Sequence, residues 1–176
     1  MNRRTALIEI NLRWLRQALE LLERIDDHVY ATAPVGMAPH RAGGHLRHIV
    51  DFYRAFLDGL AEHRIDYDAR RRDTRVERSR EAAAAAIRWI IRELEANAVL
   101  RAAARVWVLM EDAGDAPDAY LESSVVRELQ VLSSHTIHHF ALIAVTLRGH
   151  GVEMDADFGM APSTLRFLAA KAAEAA

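Results

Sequence analysis

The stretch from Ser123 to Leu147, SSVVRELQVLSSHTIHHFALIAVTL, decides how the rest of the chain is read. Its apolar residues, among them Val125, Leu129, Leu132, Ile137, Phe140 and Ile143, recur at the three-to-four spacing of an α-helix. Projected around a helix they occupy most directions, as expected of a helix buried among others. Gly149 and Gly151 follow as C-terminal stop signals.

The same period recurs upstream. From about Thr5 to about His28, Leu7, Ile8, Leu12, Leu15, Leu19, Leu22 and Ile25 predict a first helix, stopped by the run Ala31 to Gly36. After Gly43 and Gly44, Leu46, Ile49, Val50, Tyr53, Phe56, Leu57 and Leu60 predict a second helix, to about His63. The charged run Ile65 to Asp73 reads as a surface loop. A third helix is expected from about Ser79 to about Ala98, where the alanines at 82–86 allow close approach of a neighbour. Partial alternation from Ala103 to Met110 fits a short strand, and Gly114 to Pro117 breaks the chain before the long helix. A last short helix, Thr164 to Ala173, follows Pro162 and Ser163. The expected fold is all-α, a four-helix bundle with a short additional C-terminal helix, in a single domain over residues 1–176.

Composition narrows the function. With 176 residues, 51% of them hydrophobic, the chain can build a core without disulfides or a structural metal, so a metal site here would be functional. A net charge of −2 disfavours nucleic acid as a partner. The absence of cysteine removes disulfide scaffolds, cysteine zinc fingers and thiol nucleophiles, and suits a reducing cytoplasm. No signal peptide is expected, since charges interrupt the N-terminal run. Uninterrupted apolar runs such as Ala82 to Ile87 are far too short to span a membrane, so no membrane partner is expected either.

Six of the nine histidines, His40, His45, His48, His135, His138 and His139, fall in two short windows. His135 and His139 stand four apart, so on a helix they differ in direction by only about 40° and in height by about 6 Å. Two imidazoles so placed can grip one divalent transition ion, since zinc, nickel, cobalt and iron accept imidazole nitrogen while calcium and magnesium prefer oxygen. A facing helix must supply a third ligand, His45 or His48. The alternative is a chance cluster whose rings hydrogen-bond to water or backbone.

The segments His48-Ile49-Val50-Asp51 and His135-Thr136-Ile137-His138-His139-Phe140-Ala141-Leu142-Ile143 resemble the two signatures of the DinB/YfiT-like four-helix metalloproteins. Helix order and spacing are similar as well, over nearly the whole chain. The resemblance implies a metal held by His48, His135 and His139, with zinc or nickel as the ion. Periodicity and motif differ on one point, because the apolar arc of the second helix contains His45 and leaves His48 beyond its edge. The motif selects His48 and makes His45 a lining residue. His138 points about 100° away from His139 and is expected to be structural. Glu128 lies too far along the helix to ligate the same ion and reads as a partner for an arginine or as a proton acceptor behind the ligands. Asp51, one turn from His48, is placed to orient an imidazole or to face water.

Relatives of this kind include thiol-dependent S-transferases and isomerases. The resemblance therefore implies a metal-dependent enzyme that activates a water or a low-molecular-weight thiol cosubstrate, in transferase or hydrolase-like chemistry on a small-molecule substrate. Candidates for catalytic support are Glu128, Asp51 and His45. No His-Glu-x-x-His motif is present, because Thr136 and Ile137 follow His135, and no serine elbow is recognisable. The alternatives are a non-catalytic metal-binding or stress-response interaction protein, whose helix faces would serve a homodimer, and a plain helical scaffold. Tyr67 with Arg70, Arg71 and Arg72 reads as a solvated face, or else as an anion-binding loop over the bundle mouth. The run Met154 to Pro162 either folds back over the helices or stays in solvent.

Overall fold

The computed structural model describes residues 3–96, 100, 105–110 and 119–174. Along the chain these form α1 (Arg3–Arg24), α2 (Asp27–Ala31), α3 (Ala42–Leu60), β1 (Arg64–Ile65), α4 (Thr74–Arg78), α5 (Arg80–Ala96), β2 (Arg105–Leu109), β3 (Tyr120–Ser124), α6 (Val125–Gly149) and α7 (Pro162–Glu174). The protein is mostly helical with one small sheet. None of the described helices is long and apolar enough to cross a membrane.

Helix α6 packs against both α1 and α3, and α5 packs against the same two from elsewhere. The core between them holds Leu12, Leu15 and Leu22 of α1, Ile49, Tyr53, Phe56 and Leu60 of α3, Ile87, Ile90 and Leu94 of α5, and Leu129, Leu132, Phe140 and Ile143 of α6, all buried. Complete burial of such a side chain contributes about 1.5–3 kcal/mol. A polar link runs through this apolar core. Asn11 donates from Nδ2 to the Leu129 carbonyl at 3.0 Å and accepts from the Tyr53 hydroxyl at 2.6 Å, while the Thr136 hydroxyl lies 3.3 Å from that of Tyr53.

The all-α expectation agrees with this mostly helical chain, to which one small sheet is added. Strand β2 pairs in parallel with β1 and antiparallel with β3. The short strand expected near residue 105 is there, although Ala103 and the Gly114–Pro117 break lie outside the described residues. Its alternation is real: Val106 is buried between exposed Arg105 and Trp107. Strands β1 and β3 have too little apolar alternation to be read locally and exist through their pairing. Ile65, placed in a surface loop by its charged neighbours, is fully buried opposite Val108.

Helix ends differ where caps intervene. The first helix stops at Arg24 because the Asp26 side chain accepts from the Val29 amide and starts α2. Ser124 caps α6 in the same way, through the Arg127 amide. The third helix is described to Ala96, and its expected end at Ala98 lies outside the described residues. Helix α3 takes Gly43 and Gly44 into its first turn, and Gly43 must be small there, since a Cβ would collide with the Glu77 carbonyl oxygen on α4. The segment after α6 folds back: Phe158 is buried and stacks on Phe140 at 4.8 Å, and Asp155 accepts from Arg24. Beyond it, α7 buries none of its residues.

Candidate metal centre

One turn of α6 separates His135 from His139, which puts both rings on the face that meets α3, and α3 presents His48 to them. Ring centroids lie 4.9 Å apart for His48 and His135, 4.6 Å for His48 and His139, and 4.6 Å for His135 and His139. One possible ligand atom from each lies within 4.8 Å of the others, so the group could hold a metal ion. His45 stands behind the triangle, its Nδ1 3.2 Å from Nδ1 of His139. One of those two nitrogens carries the proton. With the proton on His139, its Nε2 is left as the lone-pair nitrogen, the arrangement that metal-ligating histidines favour.

The donor set fits a metal on a second count. Nε2 of His135 is buried and has no hydrogen-bond partner among the described residues, although polar atoms in that position are normally satisfied. All three rings are half-buried, and burial lowers their pKa from the ordinary 6.5, to about 4 for His48, about 4 for His135 and about 3 for His139. Neighbouring rings add to this, His135 acting on His48 and both His135 and His48 on His139. The cluster therefore stays neutral in mildly acidic solution, which is the form that ligates. His45 is lowered too, by burial first and then by His40 and His138.

Depressed values mean that the folded chain binds fewer protons than the unfolded chain between about pH 6.5 and about pH 4. Stability therefore rises with pH across that window, and what these groups contribute above 6.5 is lost as the pH falls towards their folded values. Metal-free protein is expected to show a denaturation midpoint that falls on acidification from pH 7 to 4.5, with a flatter profile in His139→Ala. A fall just as steep in His139→Ala would exclude the cluster as its cause.

Phe52, one turn beyond His48, completes the wall. Its ring stacks on His135 at 4.1 Å, contacts His48 at 4.7 Å and carries Tyr67 on its other side at 5.0 Å. Sequence reasoning missed this ring, though its i+4 spacing from His48 is the signal that could have found it. The charged run after Ile65 divides: Arg71 and Arg72 are exposed, as a solvated face requires, whereas Tyr67 and Arg70 turn inward. The Arg70 guanidinium lies 5.4 Å from the Phe52 ring centre.

The remaining candidates fall around the triangle rather than in it. Glu128 is buried, yet its partners are hydroxyls: it accepts from Tyr67 at 2.9 Å and from Ser123 at 2.5 Å, and among the described residues no arginine pairs with it. Asp51 neither touches an imidazole nor faces water. It is buried and accepts from Arg47 at 2.8 Å, and Arg47 also donates to Glu77 at 3.1 Å. His138 is exposed, edge-on to His139 at 5.2 Å, rather than satisfied inside the fold. A cavity of about 320 Å³, with His45, His48, His139, Arg41, Arg47 and Glu77 in its lining, opens beside the triangle.

No family model matches the chain, and no solved structure does. Among curated proteins, a segment of 105 residues is 34% identical to FK506-binding protein 5 of Rhizopus delemar. It covers 59% of this chain and 27% of that protein, so the chain spans little more than a quarter of the relative's length.

Proposed function

We propose that this chain is a metal-dependent enzyme of the DinB/YfiT-like kind, a four-helix bundle built from α1, α3, α5 and α6, in which His48, His135 and His139 hold one zinc or nickel ion. The observation that carries the reading is the buried, unpartnered Nε2 of His135 inside a triangle of neutral imidazoles. Three protein ligands leave coordination positions open, as in catalytic sites. Such an ion, when bound, lowers the pKa of a water or of a low-molecular-weight thiol so that a nucleophile exists at neutral pH.

The chain's own residues do the rest. His45 fixes the ring of His139 through the Nδ1 contact. Phe52 covers His135 and keeps bulk water from that side. Arg47, held in place by Asp51 and Glu77, lines the neighbouring cavity, where a small polar substrate would enter. With no cysteine in the chain, any thiol must arrive as a cosubstrate. A second reading, a metal-binding interaction protein, draws support from α7, which exposes Phe167 and Leu168.

Cobalt substitution separates these readings. The visible spectrum of the cobalt form is expected to change when a small thiol is added, because the thiol enters an open position. An unchanged spectrum across several thiols would remove thiol activation. Absence of transition metal from purified, untagged protein, together with no thermal shift on adding zinc or nickel, would remove the metal altogether.

A further inference from the structure

A separate half-open cavity of about 410 Å³ lies on the far side of Phe52 from the histidines, between α6 and the sheet. Phe52, Val108, Leu109, Leu121 and Val131 give it apolar walls, and the exposed Asp68, Glu122 and Arg127 also stand in its lining. Into it also faces Glu128, only 5% exposed. Burying a carboxylate is costly unless its charge is compensated. Among the described residues no arginine, lysine or histidine pairs with this one; Tyr67 and Ser123 each give it one neutral hydrogen bond. Two oxygens offer about four acceptor positions, so roughly half remain unused.

Tyr67 cannot relieve the charge by other means. Burial and the neighbouring Glu128 carboxylate push its phenol well above the ordinary value, so it stays an O–H donor. Arg127 also lines the cavity, but it is exposed at the rim, where water and salt screen it. An apolar recess with an uncompensated carboxylate in its wall selects for a ligand that brings both an apolar body and a cation.

We propose that this cavity is a binding site for an apolar primary amine in its ammonium form, with Glu128 accepting from the ammonium and the apolar body lying against Phe52, Val108 and Val131. The site does not depend on the metal reading, and the test is arranged to keep them apart.

Calorimetric titration of the chelator-treated, full-length chain at neutral pH with 4-phenylbutylamine, 4-phenylbutanol and 4-phenylbutyrate checks it. The amine is expected to bind about tenfold or more tightly than the alcohol, reflecting one charge-assisted hydrogen bond, and the carboxylate to bind least. Glu128→Gln is expected to bring the amine down to the level of the alcohol. Leu121→Arg, on a side chain 56% exposed and so safe for folding, should weaken the amine by placing like charge at the mouth. Equal binding of all three probes, preference for the carboxylate, no binding at all, or an amine affinity indifferent to both variants would each overturn the proposal. Amine binding by the metal-loaded chain but not by the chelator-treated one would also overturn it, by placing the amine on the ion instead.

Discussion

His135→Ala is expected to abolish metal binding while leaving the helical content of the chain unchanged. The ring contributes a buried Nε2 that has no partner among the described residues and so is free to ligate. A chelate of three imidazoles reduced to two should lose more than about 100-fold in affinity, beyond what the loss of a supporting hydrogen bond costs. The same outcome is expected for His48→Ala and His139→Ala. Folding should survive, because Leu12, Ile49, Tyr53, Phe56, Leu129 and Phe140 are buried without any contribution from an ion. Metal analysis after dialysis and far-ultraviolet circular dichroism report the two quantities. Retention of full metal content in any one variant would remove that histidine from the ligand set, and collapse of helicity would make the metal structural.

The largest expected loss of stability comes from adding one methyl group to Gly43. Its Cβ would press on the Glu77 carbonyl and on the Tyr30 ring, and backbone cannot step aside as a flexible side chain does. Gly43→Ala is therefore expected to force α3 and α4 apart at a cost of about 2–3 kcal/mol. In a chain of this length that lowers the melting temperature by roughly 5–10 °C. Gly44→Ala is the control, since the nearest atom to its Cβ would be the Arg41 side chain at an ordinary 3.6 Å. There the gain in helix propensity should leave stability unchanged or raise it by about 0.5–1 kcal/mol. Equal effects from the two substitutions would refute the close contact between α3 and α4.

How far the sequence carries can be judged at particular positions. His135 and His139 are legible because helix period fixes their relative direction without any tertiary knowledge. The choice between His45 and His48 is not, since the two stand three apart on α3 and both face α6; only the distance across the helix pair separates a ring in the triangle from a ring behind it. The break at Asp26 is hidden because the apolar period runs on to Ile25, and a cap is a hydrogen bond rather than a pattern. Strand β3 is hidden for a related reason: Tyr120 to Ser124 has no face of its own and is extended because β2 lies beside it. In the charged run, Tyr67 and Arg70 turn inward for a partner 61 residues away, Glu128, and for the face of Phe52, neither of which local composition announces.

Sliding α6 by one residue against α1 and α3 would turn it by about 100° and displace it by about 1.5 Å. Interchangeable leucines tolerate such slippage, because a displaced apolar side chain finds another apolar neighbour. Asn11, Tyr53 and Thr136 do not, because a slide would take the Leu129 carbonyl away from Asn11 and the Thr136 hydroxyl away from Tyr53. They work as an indexing pin that admits one rotation of α6 and rejects its neighbours. That pin sits one residue from His135 and three from His139, so the aim of both imidazoles is set from inside the core before any ion arrives.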